Sequence, residues 1–311
     1  MSGMQLALAP MQDVTDLAFV RTLARIGSLP DVLMTPYFRS TRTTCVCSAA
    51  LERMVEAHGT GVPLVAQLAG SEPAALVRDA HRLLARGVAG INLNAGCPSP
   101  LVNRHGAGAA LLREPERLAA VLAALRAELP PGAFSIKLRL GWASAEEFPR
   151  LLEVLARVAP DAVMVHARTR RQLYGGTAHW EAVRAAGAAL SCPVWINGDI
   201  DSPRRAADAA EVSGCARLMI GRGAVRNPYL FRQLRGGSAP TPADRRRYFR
   251  ILIEETGRAL APPYRERGHC NRLKKYLAFC YADMSAEQEW HLRRCERLGD
   301  LETWLGLKSP S

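Results

Sequence analysis

The chain has 311 residues, 48% of them apolar, and a formal net charge of +12. So long and apolar a chain buries a large core without covalent help, which excludes a disordered tail protein and a disulfide-stapled miniprotein. It holds no uninterrupted apolar run of about 18 residues, and its opening MSGMQLALAPMQD lacks the pattern of a secretory leader, so a soluble, cytoplasmic monomer is expected.

In chain order, short β-type apolar runs alternate with helical periodicity. The first strand, Leu6 to Ala9, runs into Pro10-Met11, and Asp16 is placed to cap a helix that ends near Gly27. Val32 to Thr35 is the second strand. Cys45-Val46-Cys47 follows, but with no second pair or His cluster it gives no metal site, and the scattered cysteines are expected to be reduced. The third strand, Leu64 to Leu68, carries Gln67 and precedes a helix opened by Ser71-Glu72-Pro73. The fourth, Gly90 to Asn94, stops where Ala95-Gly96-Cys97-Pro98 begins, so Cys97 emerges at a strand end on a turn that Gly96 permits and Pro98 stiffens. An unpaired cysteine is usually a small buried filler; its position makes this one a candidate for chemistry.

Glu114-Pro115-Glu116 opens the next helix, and the fifth strand, Ser135 to Arg139, contains Lys137. Only four lysines occur in the chain, and Lys137 is alone in the first 270 residues. Where arginine serves nearly everywhere else, a lone strand lysine points to a need for a compact ammonium that a planar guanidinium does not meet. Ser144 opens a helix before the sixth strand, Ala162 to His166; the seventh, Val194 to Asn197, runs into Gly198-Asp199, and Ser202-Pro203 opens another helix. The eighth, Arg217 to Gly221, runs into Arg222-Gly223. Eight strands in strict alternation with helices predict an α/β protein of the (β/α)8 TIM-barrel class, and no G-x-G-x-x-G follows the first strand to suggest a doubly wound sheet.

After this the pattern changes. Gly236 to Pro242 is a linker by composition, and the remainder reads as helix only. The expected division is a barrel at residues 1–235 and an all-helical domain at residues 241–311. Arg245-Arg246-Arg247, Arg250 and the run from Arg265 to Lys275, with Tyr248, Tyr264 and Tyr276 interleaved, suit a phosphate backbone with some base stacking. A solvated helix face has the same composition.

In a (β/α)8 barrel the active site lies at the C-terminal strand ends. Gln67, Asn94 with Cys97, Lys137 with Arg139, His166, Asn197-Gly198-Asp199 and Gly221-Arg222 all fall there, and so many polar ends point to one shared ligand. The pieces suit flavin mononucleotide (FMN). The turns after strands seven and eight can hold its phosphate, with Arg222 neutralising charge. Gln67 can reach the pyrimidine edge, Lys137 can place charge near N1 and O2, and Ala9-Pro10-Met11 offers a flat rest for the ring.

The Ala9-Pro10-Met11, Val14-Thr15-Asp16, Asn94-Ala95-Gly96-Cys97-Pro98, Lys137-Leu138-Arg139, His166-Ala167-Arg168-Thr169, Asn197-Gly198-Asp199 and Gly221-Arg222-Gly223 segments together resemble a tRNA-dihydrouridine synthase, in order over residues 4–230. The resemblance implies an FMN-dependent oxidoreductase in which NADPH reduces the flavin. Hydride then passes to C6 of a D-loop uridine, and Cys97 protonates C5. It implies that Ala9, Pro10, Met11, Gln67, Lys137, His166, Asn197, Gly198, Asp199, Gly221 and Arg222 contact FMN. Asn94 and Arg139 would hold the uridine or its phosphate, and Arg272, Lys274 and Lys275 the tRNA backbone. The chain departs from the family at Pro36, where many members carry glutamate, and at Pro100, where a basic residue is common. Trp142 and Asn271 to Lys275 resemble the uridine-16 subgroup. A flavin barrel acting on a small molecule, as dihydroorotate-oxidising enzymes do, a Schiff-base aldolase built on Lys137, and a non-catalytic RNA-binding barrel are the alternatives.

Overall fold

The computed structural model describes residues 3–43, 53–55, 58–260 and 266–308, so Cys45, Cys47, Tyr264 and Arg265 lie outside the described residues. Nine strands pair in parallel: β1 (Gln5–Leu8), β2 (Leu33–Met34), β3 (Phe38–Arg39), β4 (Leu64–Ala69), β5 (Gly90–Ala95), β6 (Phe134–Arg139), β7 (Ala162–His166), β8 (Val194–Asn197) and β9 (Arg217–Ile220). The order β1-β9-β8-β7-β6-β5-β4-β2 makes an eight-stranded, nearly closed barrel. An Ala7–Val32 bridge joins its first and last members, and the Leu8 amide donates to the Val32 carbonyl at 3.0 Å. The extra β3 pairs with the end of β4.

Inside the barrel, Ala7, Ala9, Met34, Met164, Trp195 and Met219 form an apolar cluster. Beside it runs a buried amide chain. Gln67 Nε2 donates to Asn92 Oδ1 at 2.8 Å, Asn92 Nδ2 to Ser135 Oγ at 2.9 Å, and Asn94 Nδ2 to Gln67 Oε1 at 2.8 Å. Such polar side chains are tolerated in the interior because they satisfy one another.

The surrounding helices are α1 (Leu17–Arg25), α2 (Pro73–Leu84), α3 (Pro115–Glu128), α4 (Phe148–Val158), α5 (Trp180–Ala189) and α6 (Pro203–Ser213), followed by the short α7 (Arg222–Arg226) and α8 (Leu230–Leu234). Asp16 and Ser202 cap α1 and α6 as expected, accepting from the Phe19 and Arg205 amides at 3.0 and 3.2 Å. Ser144 and Glu147 form a capping box ahead of α4. Ser71 does not cap α2; its hydroxyl donates to the His105 carbonyl at 3.0 Å, tying the helix start to the loop after Cys97.

The C-terminal region comprises α9 (Pro242–Ala259), α10 (Glu266–Cys280), α11 (Ala286–Arg294) and α12 (Leu298–Trp304). It packs on α1: Arg25 Nη1 lies 2.6 Å from Glu254 and 2.8 Å from Glu255, and the Phe19 and Tyr276 rings stack at 6.1 Å. This corrects the reading of the tail aromatics. Tyr248 and Tyr276 are 2% and 0% exposed and serve the core, so neither is available to stack on a base. Among the described residues no helix is long and apolar enough to cross a membrane.

Candidate active site at the barrel mouth

Strand register builds the site. Asn94 stands opposite Lys137, Arg139 opposite His166, His166 opposite Asn197, and Asn197 opposite Met219. Side chains alternate faces along a strand, so these rows turn toward the barrel axis together. With the β1 end and the loops after β5, β7, β8 and β9, they line one cavity of about 1020 Å³ at the C-terminal mouth. Of the expected residues, Ala9, Pro10, Met11, Asn94, Cys97, Lys137, Arg139, His166, Asn197, Gly198, Asp199, Gly221, Arg222 and Lys275 line it. Gln67 does not; it is fully buried, with its amide spent on Asn92, Asn94 and the Met34 sulfur.

The turn bearing Cys97 is shaped by Asn94, whose Oδ1 accepts from the Gly96 and Cys97 amides at 3.1 and 2.8 Å. On the far side the Cys97 carbonyl accepts from Ala109 N at 3.0 Å and Asn103 Nδ2 at 2.9 Å. The backbone is thus pinned on both flanks of the thiol, which is itself half-buried at the cavity wall. Arg139 is 1% exposed and donates to the carbonyls of Gly96, Thr169 and Leu173 at 2.8, 2.8 and 2.7 Å. It therefore ties the cysteine loop to the loop after β7, while its Nη2 has no protein partner among the described residues.

The cavity is electropositive. Its lining carries Lys137, Arg139, Arg168, Arg222, Arg226 and Lys275 against Asp13, Asp199 and Asp201. Burial, then the Arg139 charge, lowers Lys137 to about 7, with Cys97 acting in the opposite direction. Its Nζ has no hydrogen-bond or ion-pair partner among the described residues. Burial and then Arg139, Lys137, Arg168 and Arg222 push His166 well below its ordinary value, so the imidazole is neutral. Burial is also the main cause that brings Arg139 down to about 10. Burial raises Asp199, but the Arg168 hydrogen bond, the Ala178 amide and the charges of Arg168 and Arg222 outweigh it and hold the carboxylate low.

Two glycines keep the mouth open. Gly198 has φ +121°, and a Cβ there would lie 3.0 Å from the His166 ring; a Cβ at Gly221 would lie 3.2 Å from the Met11 sulfur and 3.3 Å from Ala9. A cavity with surplus cations, an unpartnered ammonium and close glycine backbone fits the phosphate and flat ring of FMN. Lys137, His166, Arg222 and the Gly198 and Gly221 backbone are the groups that would hold it. A depressed lysine also suits Schiff-base chemistry, so the local geometry alone leaves that alternative standing.

Three lining residues were not assigned to the site from the sequence, although Arg168 lies in one of the segments that carry the resemblance. Arg168, 1% exposed, donates to Asp199 and the Gly176 carbonyl, each at 2.6 Å, and to the Gly175 carbonyl at 3.0 Å. It lies two residues beyond His166, so the strand's own alternation could have flagged it. Tyr174 sits at the rim with the guanidinium carbons of Arg222 and Arg139 at 4.9 and 5.5 Å from its ring centre. Tyr37 follows β2 and lines the same cavity as Cys97. In the tail, Arg272 pairs with Asp16, Lys275 lies 3.0 Å from Asp13, and Lys274 donates to the Arg293 carbonyl at 2.9 Å. These cations latch α10 to the loop after β1 and to α11.

A parallel eight-stranded barrel with this cationic, glycine-lined mouth defines a barrel enzyme that binds an anionic ligand at its C-terminal end. Comparison with known proteins gives the particular kind: the dihydrouridine synthase (Dus) family matches residues 7–302. The chain is 33% identical over 309 residues to a tRNA-dihydrouridine(16) synthase of Cupriavidus necator, covering 96% of this chain and 95% of that one. It is 35% identical over 246 residues to a tRNA-dihydrouridine(16) synthase of Ralstonia nicotianae, covering 77% and 75%. The chain belongs to the dihydrouridine synthase family and is a flavin-dependent oxidoreductase. A solved complex of 2-naphthoyl-CoA reductase with 2-naphthoyl-CoA superposes with a TM-score of 0.58 at 12% identity, over 75% of this chain and 50% of that one. The chain thus spans half of that protein's length, and the likeness is one of fold.

Proposed function

We propose that this chain reduces the C5–C6 bond of uridine 16 in the D-loop of tRNA, with NADPH as the source of electrons and Cys97 as the proton donor. The observation that carries the reading is the placement, in a dihydrouridine synthase, of the Cys97 thiol and the unpartnered Lys137 ammonium in one cavity. The position is supported by the two relatives named for uridine 16. Bound FMN, once reduced, supplies the hydride that C6 of the uracil accepts.

The chain's own groups do the rest. Lys137 and Arg222 would supply positive charge to the cofactor, and the neutral His166 a hydrogen bond. Asn94 and Asn103 hold the Cys97 turn so that the thiol faces the cavity, and the S–H proton passes to C5 as that carbon gains charge. Arg139 keeps its free Nη2 beside the same space for a uracil oxygen or a phosphate. The barrel and the helical region act as catalytic and tRNA-binding units, with the exposed Arg245, Arg246, Arg247 and Arg250 of α9 meeting the tRNA backbone.

The test uses tRNA from cells lacking this chain. Incubation with the flavin-loaded protein and NADPH should place dihydrouridine at position 16, as mapped by reverse-transcription stops after alkaline ring opening. Cys97→Ala should bind flavin normally and leave position 16 unmodified. Unmodified tRNA from the wild-type reaction, or full modification by Cys97→Ala, would refute the assignment.

A further inference from the structure

The Cys97 carbonyl is held by a chain of contacts that begins outside the cavity. Pro100 opens a single helical turn, Pro100–Asn103, with its φ preset for that position, so this departure from the family pattern stiffens the segment that carries Asn103. Asn103 Nδ2 donates to the Cys97 carbonyl at 2.9 Å and to the Ala107 carbonyl at 3.0 Å. Its Oδ1 points the other way and accepts from Arg170 Nε at 3.3 Å. Arg170 belongs to the loop after β7, where its own amide donates to the Gly141 carbonyl at 2.9 Å. Its guanidinium carbon lies 4.6 Å from the centre of the Trp142 ring, and that of Arg113, at the far end of the cysteine loop, lies 5.1 Å from it. Trp142 is fixed in turn, its amide donating to Glu147 Oε2 at 2.8 Å and its carbonyl accepting from the Arg171 amide at 2.9 Å.

We propose that Arg170 is a positioning residue for Cys97 that acts through Asn103, with the Trp142 ring as the surface on which its guanidinium rests. A carboxamide can present either its oxygen or its nitrogen. Turned over, Asn103 would aim Oδ1 at two carbonyl oxygens, so the Arg170 donor selects the orientation that holds Cys97. The cation–π contact with Trp142 keeps the donor in place without spending its N–H groups. None of Asn103, Trp142 and Arg170 lines the cavity, so their influence on the thiol passes through the loop backbone. The proposal rests on the dihydrouridine reading for its reaction. In that step the S–H bond breaks, a C5–H bond forms and sulfur keeps the electron pair, to be reprotonated by water. A thiol displaced by about an ångström makes that transfer poorly.

The deciding variant is Arg170→Met in the flavin-loaded protein, compared with Asn103→Ala and with the double variant. Mixed with NADPH alone, Arg170→Met should reduce its flavin at the wild-type rate, because Cys97 takes no part in that half of the reaction. Single-turnover dihydrouridine formation by the prereduced protein at saturating tRNA should slow about fivefold, the effect of one net hydrogen bond, with tRNA affinity unchanged. The double variant should be no slower than Asn103→Ala alone. A wild-type rate in Arg170→Met, or single effects that multiply in the double variant, would overturn the proposal. So would weaker tRNA affinity at an unchanged saturated rate, which would make Arg170 a tRNA contact. Hydrogen exchange at the Ala109 amide, which donates to the Cys97 carbonyl at 3.0 Å, needs no substrate and should be about fivefold faster in Arg170→Met. If the wild-type protein forms no dihydrouridine, the functional reading fails instead, and exchange alone decides the role of Arg170: unchanged protection at Ala109 overturns it.

Discussion

Raising the pH should weaken flavin binding through a single side chain. Lys137 is brought down to about 7 by burial and by Arg139, so above that pH most of the cofactor-free protein carries a neutral amine there. An anion seated beside it favours the charged form, and binding then takes up a proton at any pH above the free-protein value and below that of the complex. The sign follows directly. The free protein loses this proton first as pH rises, binding must restore it, and apparent affinity falls. The limit is tenfold, about 1.4 kcal/mol, for each pH unit. Starting from about 7, the loss between pH 7.5 and 8.5 is roughly eightfold. Two neighbouring groups stay constant across that window: His166 is already neutral, and Arg139, at about 10, is still charged. The assay is titration of apoprotein with FMN by fluorescence quenching at several pH values. Calorimetry in two buffers of different ionisation enthalpy counts the protons taken up. Lys137→Met should bind more weakly at pH 7 and show a flat profile, whereas Cys97→Ala should keep the wild-type slope. A wild-type affinity constant over this range, or a slope that survives in Lys137→Met, would refute the argument.

Asp199→Asn should destabilise the cofactor-free fold by about 3 kcal/mol in chemical denaturation, because it leaves the buried Arg168 guanidinium without its 2.6 Å carboxylate partner; a loss under about 1 kcal/mol would show that the Gly175 and Gly176 carbonyls suffice. The same carboxylate sets an acid limit. Its value is held below the ordinary carboxylate range, so the stability it confers is present at neutral pH and is lost as pH falls through the lowered value. Arg246→Ala, on the exposed face of α9, should lower the slope of log tRNA affinity against log salt by about one. Arg272→Ala should leave that slope nearly unchanged and lower the melting temperature, because Asp16 already occupies the guanidinium; the opposite ranking in filter-binding titrations would reverse the roles assigned to the two helices.

The barrel was legible because its strands announce themselves. Ala162 to His166 and Val194 to Asn197 match the structure to the residue, and the other strands shift by a residue or two at their ends. A β-type run bounded by Gly, Pro and a helix cap is local information. Depth is not. Alternation says that Gln67 and Asn94 face the interior but not how far up the barrel each lies. The register places Gln67 beside Asn92, in the amide chain beneath the mouth, and only Asn94 reaches the cavity. Partners distant in sequence were equally hidden. Arg272 reads as a free cation until Asp16, 256 residues earlier, is found against it. Tyr276 reads as a stacking residue until its hydroxyl is found donating to the same carboxylate at 2.6 Å. The uneven use of lysine was the exception: a compositional signal located Lys137 at the centre of the site.

That site solves a problem of charge. Arg139 and Arg168 are each 1% exposed, and burying a guanidinium is costly unless its donors are met. Both meet them largely with backbone carbonyls: Gly96, Thr169 and Leu173 for Arg139, Gly175 and Gly176 for Arg168. Carbonyls satisfy hydrogen bonds without cancelling charge. Among the described residues Asp199 is the only carboxylate paired with these arginines, and it is shared between Arg168 and Arg222. The mouth therefore keeps a positive potential, which adds to burial in depressing Lys137 and His166, and an anionic cofactor relieves it on binding. The same arginine–carbonyl bonds fix the loops that carry Cys97 and Tyr174. Rigidity of the catalytic rim and affinity for an anion thus arise from one set of contacts, and exchanging these carbonyls for carboxylates would keep the first and lose the second.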